Sequence, residues 1–213
     1  MARTDARSGP QTRARIADAA IRLFLERGFD DVTVAEVARA AGVSTVTVFK
    51  HFPRKEDLFL DRADDAAELL RAAVRDRAPG VDVLTSLREA TLRLADDSSP
   101  LSGLDERSVP FFRTLAASPA LVARAREVAA GLQRGLAEEL DADPTSAGGG
   151  ELLAALVIAG YATVLVGTAR RRLAGEAPVN VVDDHRARLD QLFTALHEGI
   201  SQVGASPKAP THG

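Results

Sequence analysis

Apolar residues recur three and four apart along nearly the whole chain, and no run of Val, Ile and Thr keeps a convincing period of two. That spacing predicts helices throughout. Ile16, Ala20, Leu23 and Phe24 form a first stripe, with Gly28 as a left-handed stop behind it. A second helix is expected from Thr33 and a third from near Ser44. Pro53 precedes a long candidate from Lys55 to about Ala78, ended by Pro79 and Gly80. Further helices are predicted over 81–95, 104–117, 119–140, 150–174 and 182–203, separated by breaks rich in Pro, Gly, Ser and Asp. The fold class is therefore all-α: a three-helix head over 11–54, a connecting helix over 55–78 and a helical body over 79–204. Residues 1–10 and 205–213 read as unstructured tails.

Several local signals agree between Asp31 and Phe52. Thr33 followed by Glu36 makes a capping box, in which the hydroxyl accepts from the Glu36 N–H and the carboxylate from the Thr33 N–H. Val32 and Val37 are placed for a hydrophobic staple across that start. Gly42 sits where a left-handed residue is needed to leave a short helix, and Ser44 caps the next one two residues later. Ala38 is small where the two helices cross. This pattern predicts a helix-turn-helix.

The second helix of such a pair fits the major groove of DNA. Here it would offer Thr45, Val46, Thr47, Phe49 and Lys50. Threonine hydroxyls bond base edges or phosphates, valine and threonine methyls touch a thymine methyl, and Lys50 neutralises a phosphate or approaches guanine. A helical hairpin inside a bundle carries the same caps, so the spacing leaves both readings open.

The stretch from Thr12 to Leu58 resembles the N-terminal domain of TetR-family regulators. The resemblance rests on Ile16, Ala19, Ala20, Leu23 and Phe24, on Gly28-Phe29, and on Thr33 through Ala38. It continues through Ala41-Gly42-Val43-Ser44, Thr47 through Phe52, and Lys55 through Leu58. It implies a sequence-specific repressor, cytoplasmic, that binds double-stranded operator DNA and is released by a small molecule. Carried over by position, Thr33, Ser44, Thr45, Val46, Thr47, Lys50 and Lys55 face DNA. The family usually has tyrosine where this chain has Phe49 and His51. Phe49 keeps the ring without the hydroxyl, while His51 either donates to a phosphate or packs beneath the recognition helix. Activation, or repression without any effector, fits the same residues.

The body's helical layout resembles the ligand-binding and dimerisation domain of that family. Two stripes are candidates for a homodimer interface: Leu153, Leu156, Gly160, Val164 and Gly167, and then Leu189, Leu192, Phe193, Leu196 and Ile200. Intramolecular core is the alternative for both. In a dimer, two heads meet successive major grooves, so half-sites lie about one turn or a little more apart in a pseudo-palindrome. Phe111, Phe112, Arg113 and Tyr161 are the candidates for an effector pocket. Arg170-Arg171-Arg172 is read as a solvated run at a helix end, and Asp183-Asp184 as the cap and first turn of the last helix.

Composition narrows the function without choosing it. Hydrophobic residues make up 46% and charged residues 27%, ordinary values for a globular protein. Residues 1–56 carry ten Lys/Arg against seven Asp/Glu, and the remainder seventeen against twenty-three. A mildly basic head on an acidic body suits a phosphate-facing module. Without cysteine there is no disulfide, thiolate metal site or cysteine nucleophile. The uncharged run from Leu152 to Ala169 approaches spanning length but reads as amphipathic, so no membrane role is expected. The N-terminus lacks an apolar signal segment. No nucleophile–base pair, Gly-rich phosphate loop or metal cluster stands out, so neither an enzyme nor a cofactor is expected.

Overall fold

The computed structural model describes residues 5–144 and 149–204, with side chains over 9–144 and 149–199. The described residues are helical, with no strand among them. In chain order they form α1 (Asp5–Arg27), α2 (Val34–Ala40), α3 (Thr45–His51), α4 (Ala63–Arg75) and α5 (Val83–Asp96). These are followed by α6 (Ser108–Ala117), α7 (Pro119–Ala142), α8 (Gly150–Leu173) and α9 (Pro178–Gly204). Short 3-10 turns occupy Glu56–Leu58 and Pro100–Ser102.

The chain divides into two compact units. One comprises residues up to Asp65 together with Val109–Ala130, the other Ala66–Ser108 together with the chain from Gly131. The first is built on Ile16, Phe24, Phe29, Val37, Val48, Phe52, Leu58 and Phe59, and Leu121 of α7 completes the same core. Phe24, Phe29 and Phe59 meet at tilted and edge-on angles, their ring centres 5.0 to 6.4 Å apart, the arrangement aromatic quadrupoles favour. Segment 109–130 thus packs with the head, where the sequence places it in the body.

The second unit has its core on Leu70, Val74, Leu87, Leu136, Leu140, Val157 and Phe193. Gly160 of α8 lies against Leu192 of α9 so closely that an added Cβ would come within 2.3 Å of Leu192 Cδ1. A smaller cluster joins Ala95, Leu104 and Val181.

Several expectations are corrected. Helix α1 begins at Asp5, inside the expected tail, with Pro10 inside it, past the first turn in which a missing N–H is tolerated. The connecting helix is broken: Asp57 Oδ2 accepts from the Arg54 N–H at 3.1 Å and the chain closes a 3-10 turn before α4 begins at Ala63. The last helix starts at Pro178, a residue whose fixed φ suits a first helical position, so Asp183 and Asp184 lie inside it. The arginine run is only partly solvated: Arg172 is buried, with Nη1 donating to the Glu176 carbonyl at 2.7 Å, and Arg171 pairs with Glu176 and Asp184. The tail over 205–213 lies outside the described residues.

Candidate nucleic-acid interface

The start of α2 is closed from both sides. The Glu36 carboxylate accepts from the Thr33 N–H at 2.8 Å, and the Thr33 hydroxyl accepts from the Glu36 N–H at 3.3 Å. That backbone bond, then the Arg27 guanidinium 2.8 Å away, holds the Glu36 carboxyl down to about 2. Gly42, at φ 65°, makes the turn, a conformation other L-residues rarely adopt. The Val43 N–H reaches back to the Ala38 carbonyl at 2.9 Å, and Ser44 caps α3 by accepting from the Thr47 N–H at 3.1 Å. The helix-turn-helix is thus set by local chemistry, with Val37, Ala38 and Val48 turned into the core.

The predicted DNA-facing residues are placed unequally. Thr45, Val46, Phe49 and Lys50 are exposed on α3. Ser44 and Thr47 lie at its start with their hydroxyls 2.9 Å apart, each engaged with the other. Thr33 is exposed but committed to its cap. His51 is half-buried at the end of α3. Lys55 is half-buried with its ammonium 4.2 Å from the centre of the Phe29 ring. That cation–π contact accounts for a lysine at the start of the turn without any phosphate.

Helix α1 carries a brace that the sequence did not disclose. Arg13 donates to the His51 carbonyl at 2.9 Å, lies 4.3 Å over the Phe52 ring and pairs with Asp64 at 3.0 Å. One guanidinium therefore fixes the C-terminal end of α3 from the preceding helix. A second set ties α7 to the turn after α3. Arg124 pairs with Asp57 at 2.8 Å and with Glu127 at 2.7 Å, and Glu127 also pairs with Arg54 at 2.7 Å. These partners are as far apart in sequence as Asp57 and Arg124, so no local signal reveals them.

The family model for bacterial regulatory proteins of the tetR family matches residues 16–61, the segment that contains this whole arrangement. Residues 16–61 are thus similar to the DNA-binding segment of that family. Among curated relatives, the HTH-type transcriptional regulator AcrR of Shigella flexneri is 32% identical over 101 residues, which is 46% of each chain. The HTH-type transcriptional regulator SrpR of Pseudomonas putida is 44% identical over 55 residues, 26% of each chain. The chain thus spans about half the length, or less, of these curated relatives. Solved structures match over more of it. The TetR-family repressor FadR of Thermus thermophilus, solved with lauroyl-CoA, is 27% identical at a TM-score of 0.53, covering 94% of this chain and 99% of that one. NalD of Pseudomonas aeruginosa is 22% identical at a TM-score of 0.56, covering 87% and 96%, and supports the fold.

The expected pocket and dimer residues are distributed over both units. Phe111, Phe112 and exposed Arg113 belong to the first unit, where Phe111 stacks on Phe59. Tyr161 belongs to the second, its hydroxyl donating to the Leu101 carbonyl at 2.9 Å and its pKa pushed up by burial. The structure does not gather these four into one pocket of either unit. Val164, Leu189, Phe193 and Leu196 are buried in the chain's own core, Leu153 and Leu192 pack against it, and Gly160 and Gly167 face Leu192 and Arg188 of α9. Of the first stripe only Leu156 is exposed; the side chain of Ile200 lies outside the described residues.

Another face of α8 is left open instead. Leu152, Leu156, Ala159, Thr163 and Val166 are all exposed and recur four and three apart, the repeat of a helix that packs against a parallel or antiparallel neighbour. Helix α8 is long and apolar enough to cross a membrane by length and composition. It is apolar on both faces, contrary to the amphipathic reading, because one face packs on α9 while the other carries this second stripe.

Proposed function

We propose that the chain is a homodimeric transcriptional repressor whose α2–α3 head reads a pseudo-palindromic double-stranded operator and lets go when a small molecule binds the second unit. The observation that carries this reading is the doubly capped α2–turn–α3, with Thr45, Val46, Phe49 and Lys50 projecting from it inside the segment matched by the family model. Val46, Thr45 and Lys50 take the base edges, and exposed cations take phosphate. The protein acts in the cytoplasm, where its DNA is.

The open stripe of α8 supports the dimer. Five apolar or small side chains at coiled-coil spacing lose contact with water when a second copy covers them, each Leu or Val, already partly covered in its own chain, adding about 1–2 kcal/mol. A twofold partner places two heads for two half-sites.

An effector has room within the second unit. A cleft of about 460 Å³ opens between α4 and α5, floored by Leu69, Ala72, Ala73 and Ala90 and rimmed by Asp76, Arg77, Glu89 and Arg93. The Thermus relative's complex with lauroyl-CoA favours a ligand-responsive body here too.

Footprinting on the DNA upstream of the chain's own gene, as salt is raised, tests the reading. A repressor gives a bounded footprint and an affinity that falls steeply with salt. Binding with no sequence preference at low and moderate salt would overturn it.

A further inference from the structure

The outward face of α3 is unusually apolar for a surface that meets DNA. Val46 is 78% exposed and Phe49 50% exposed, and at i and i+3 they are neighbours on one helix face. Neither is needed for the core, to which α3 contributes Val48. Meanwhile the hydroxyls of Ser44, Thr47 and Thr33 are occupied, leaving that of Thr45 at the start of the helix. Ser44 Oγ accepts from the Thr47 N–H, and the Ser44 and Thr47 hydroxyls bond each other at 2.9 Å. Thr33 donates to Glu36 at 2.8 Å. Helix α3 carries no acidic side chain and ends in Lys50 and His51, so its charge suits a polyanion while its central face is hydrocarbon.

The chief apolar feature that a base pair shows in the major groove is the pyrimidine C5-methyl group of thymine. We infer that Val46 and Phe49 form a methyl reader: α3 favours pyrimidines that carry a C5-methyl group, taking 5-methylcytosine in place of thymine and disfavouring uracil and unmodified cytosine. This rests on the operator-binding reading above and adds what the helix recognises. It also makes occupancy responsive to cytosine methylation wherever a methyl-bearing position of the site is a cytosine. Contact with a methyl group removes a small, fixed apolar area from water, so each position read this way is worth about fourfold in affinity.

The test uses the full chain and the duplex protected in the footprint. Each thymine is replaced in turn by deoxyuridine, and at each sensitive position a C·G pair is compared with its 5-methylcytosine form. The expected result is one or two positions per half-site where uracil weakens binding about fourfold and where methylation of cytosine restores about the same factor. Val46→Ala or Phe49→Ala removes the difference at the position that side chain reads. Both side chains are exposed, and an unchanged melting temperature shows that the variants fold. If uracil binds like thymine at every position while the footprint stands, the methyl reader is wrong and the repressor reading survives. If both variants keep the full discrimination, the reader lies elsewhere and the assignment is likewise overturned. If no duplex is protected at all, both readings fall together.

Discussion

Phe111 of α6 lies flat on Phe59, with ring centres 4.6 Å apart and planes 9° from parallel. Phe59 is fully buried in the head core and Phe111 packs against the same cluster. A segment far along the chain is therefore part of the unit that holds α2 and α3. Truncating Phe111 removes the stacking partner and much of its buried area. Phe111→Ala is expected to weaken the head by about 2–3 kcal/mol, below the value for a fully buried ring because Phe111 is half-exposed. Hydrogen exchange of the α1–α3 amides reads this directly. Unchanged protection in α1–α3 would show that Phe111 does not belong to that core.

Glu36 gives the head an acid limit. Its carboxyl titrates near 2 in the folded chain against 4.5 for the ordinary group, because the Thr33 N–H and then Arg27 favour the charged form. A depressed carboxylate contributes stability that is complete above its unfolded value and fades as pH falls from about 4.5 toward 2. Glu36→Gln should flatten that part of the melting-temperature curve. A variant curve that stays parallel to the wild type through this window would remove the cap from the account.

His185 sets a second and milder limit in the other unit. It is fully buried on α9, with Nδ1 2.8 Å from the Thr168 hydroxyl, and burial lowers its pKa. The unfolded chain therefore takes up this proton first, and the second unit should lose stability as pH falls below about 6.5. His185→Gln keeps a polar partner for Thr168 without a titrating ring. Its melting temperature should depend less on pH between about 6.5 and 5, as calorimetry across that range would record. Equal slopes in the two proteins would assign the dependence to other groups.

The open stripe on α8 should govern assembly. Leu156→Glu or Val166→Glu places a carboxylate on a face that a second copy would cover, and neither side chain is buried in its own chain. Light scattering should give twice the chain mass for the wild type and the single mass for either variant, with helicity retained. A wild type that is monomeric, or that floats with lipid vesicles, would refute the dimer.

Much of the head was legible in the sequence because its determinants are local. Thr33, Glu36, Gly42 and Ser44 act over two to four residues, so their chemistry can be read in order along the chain. Arg13 on His51 and Phe52, Arg124 on Asp57, and Phe111 on Phe59 could not be read this way, since each joins residues that only the fold brings together. The stripes on α8 and α9 illustrate the same limit from the other side. Helical spacing marked Val164, Leu189 and Phe193 as apolar but could not say whether their cover was the same chain or another, and the structure buries them within the chain. Lys55 was legible as an anomaly at the head of a turn, yet its partner turned out to be the Phe29 ring.

In the proposed function, α3 of a dimer reads a specific operator. Selection of random duplexes by the full chain at moderate salt, followed by sequencing, tests it most directly. The expected result is an inverted repeat whose half-sites are centred about one helical turn apart, or slightly more, with a preference that shifts when Thr45 or Val46 is replaced by alanine. Duplexes that emerge with no common sequence, or a preference unmoved by both replacements, would contradict it.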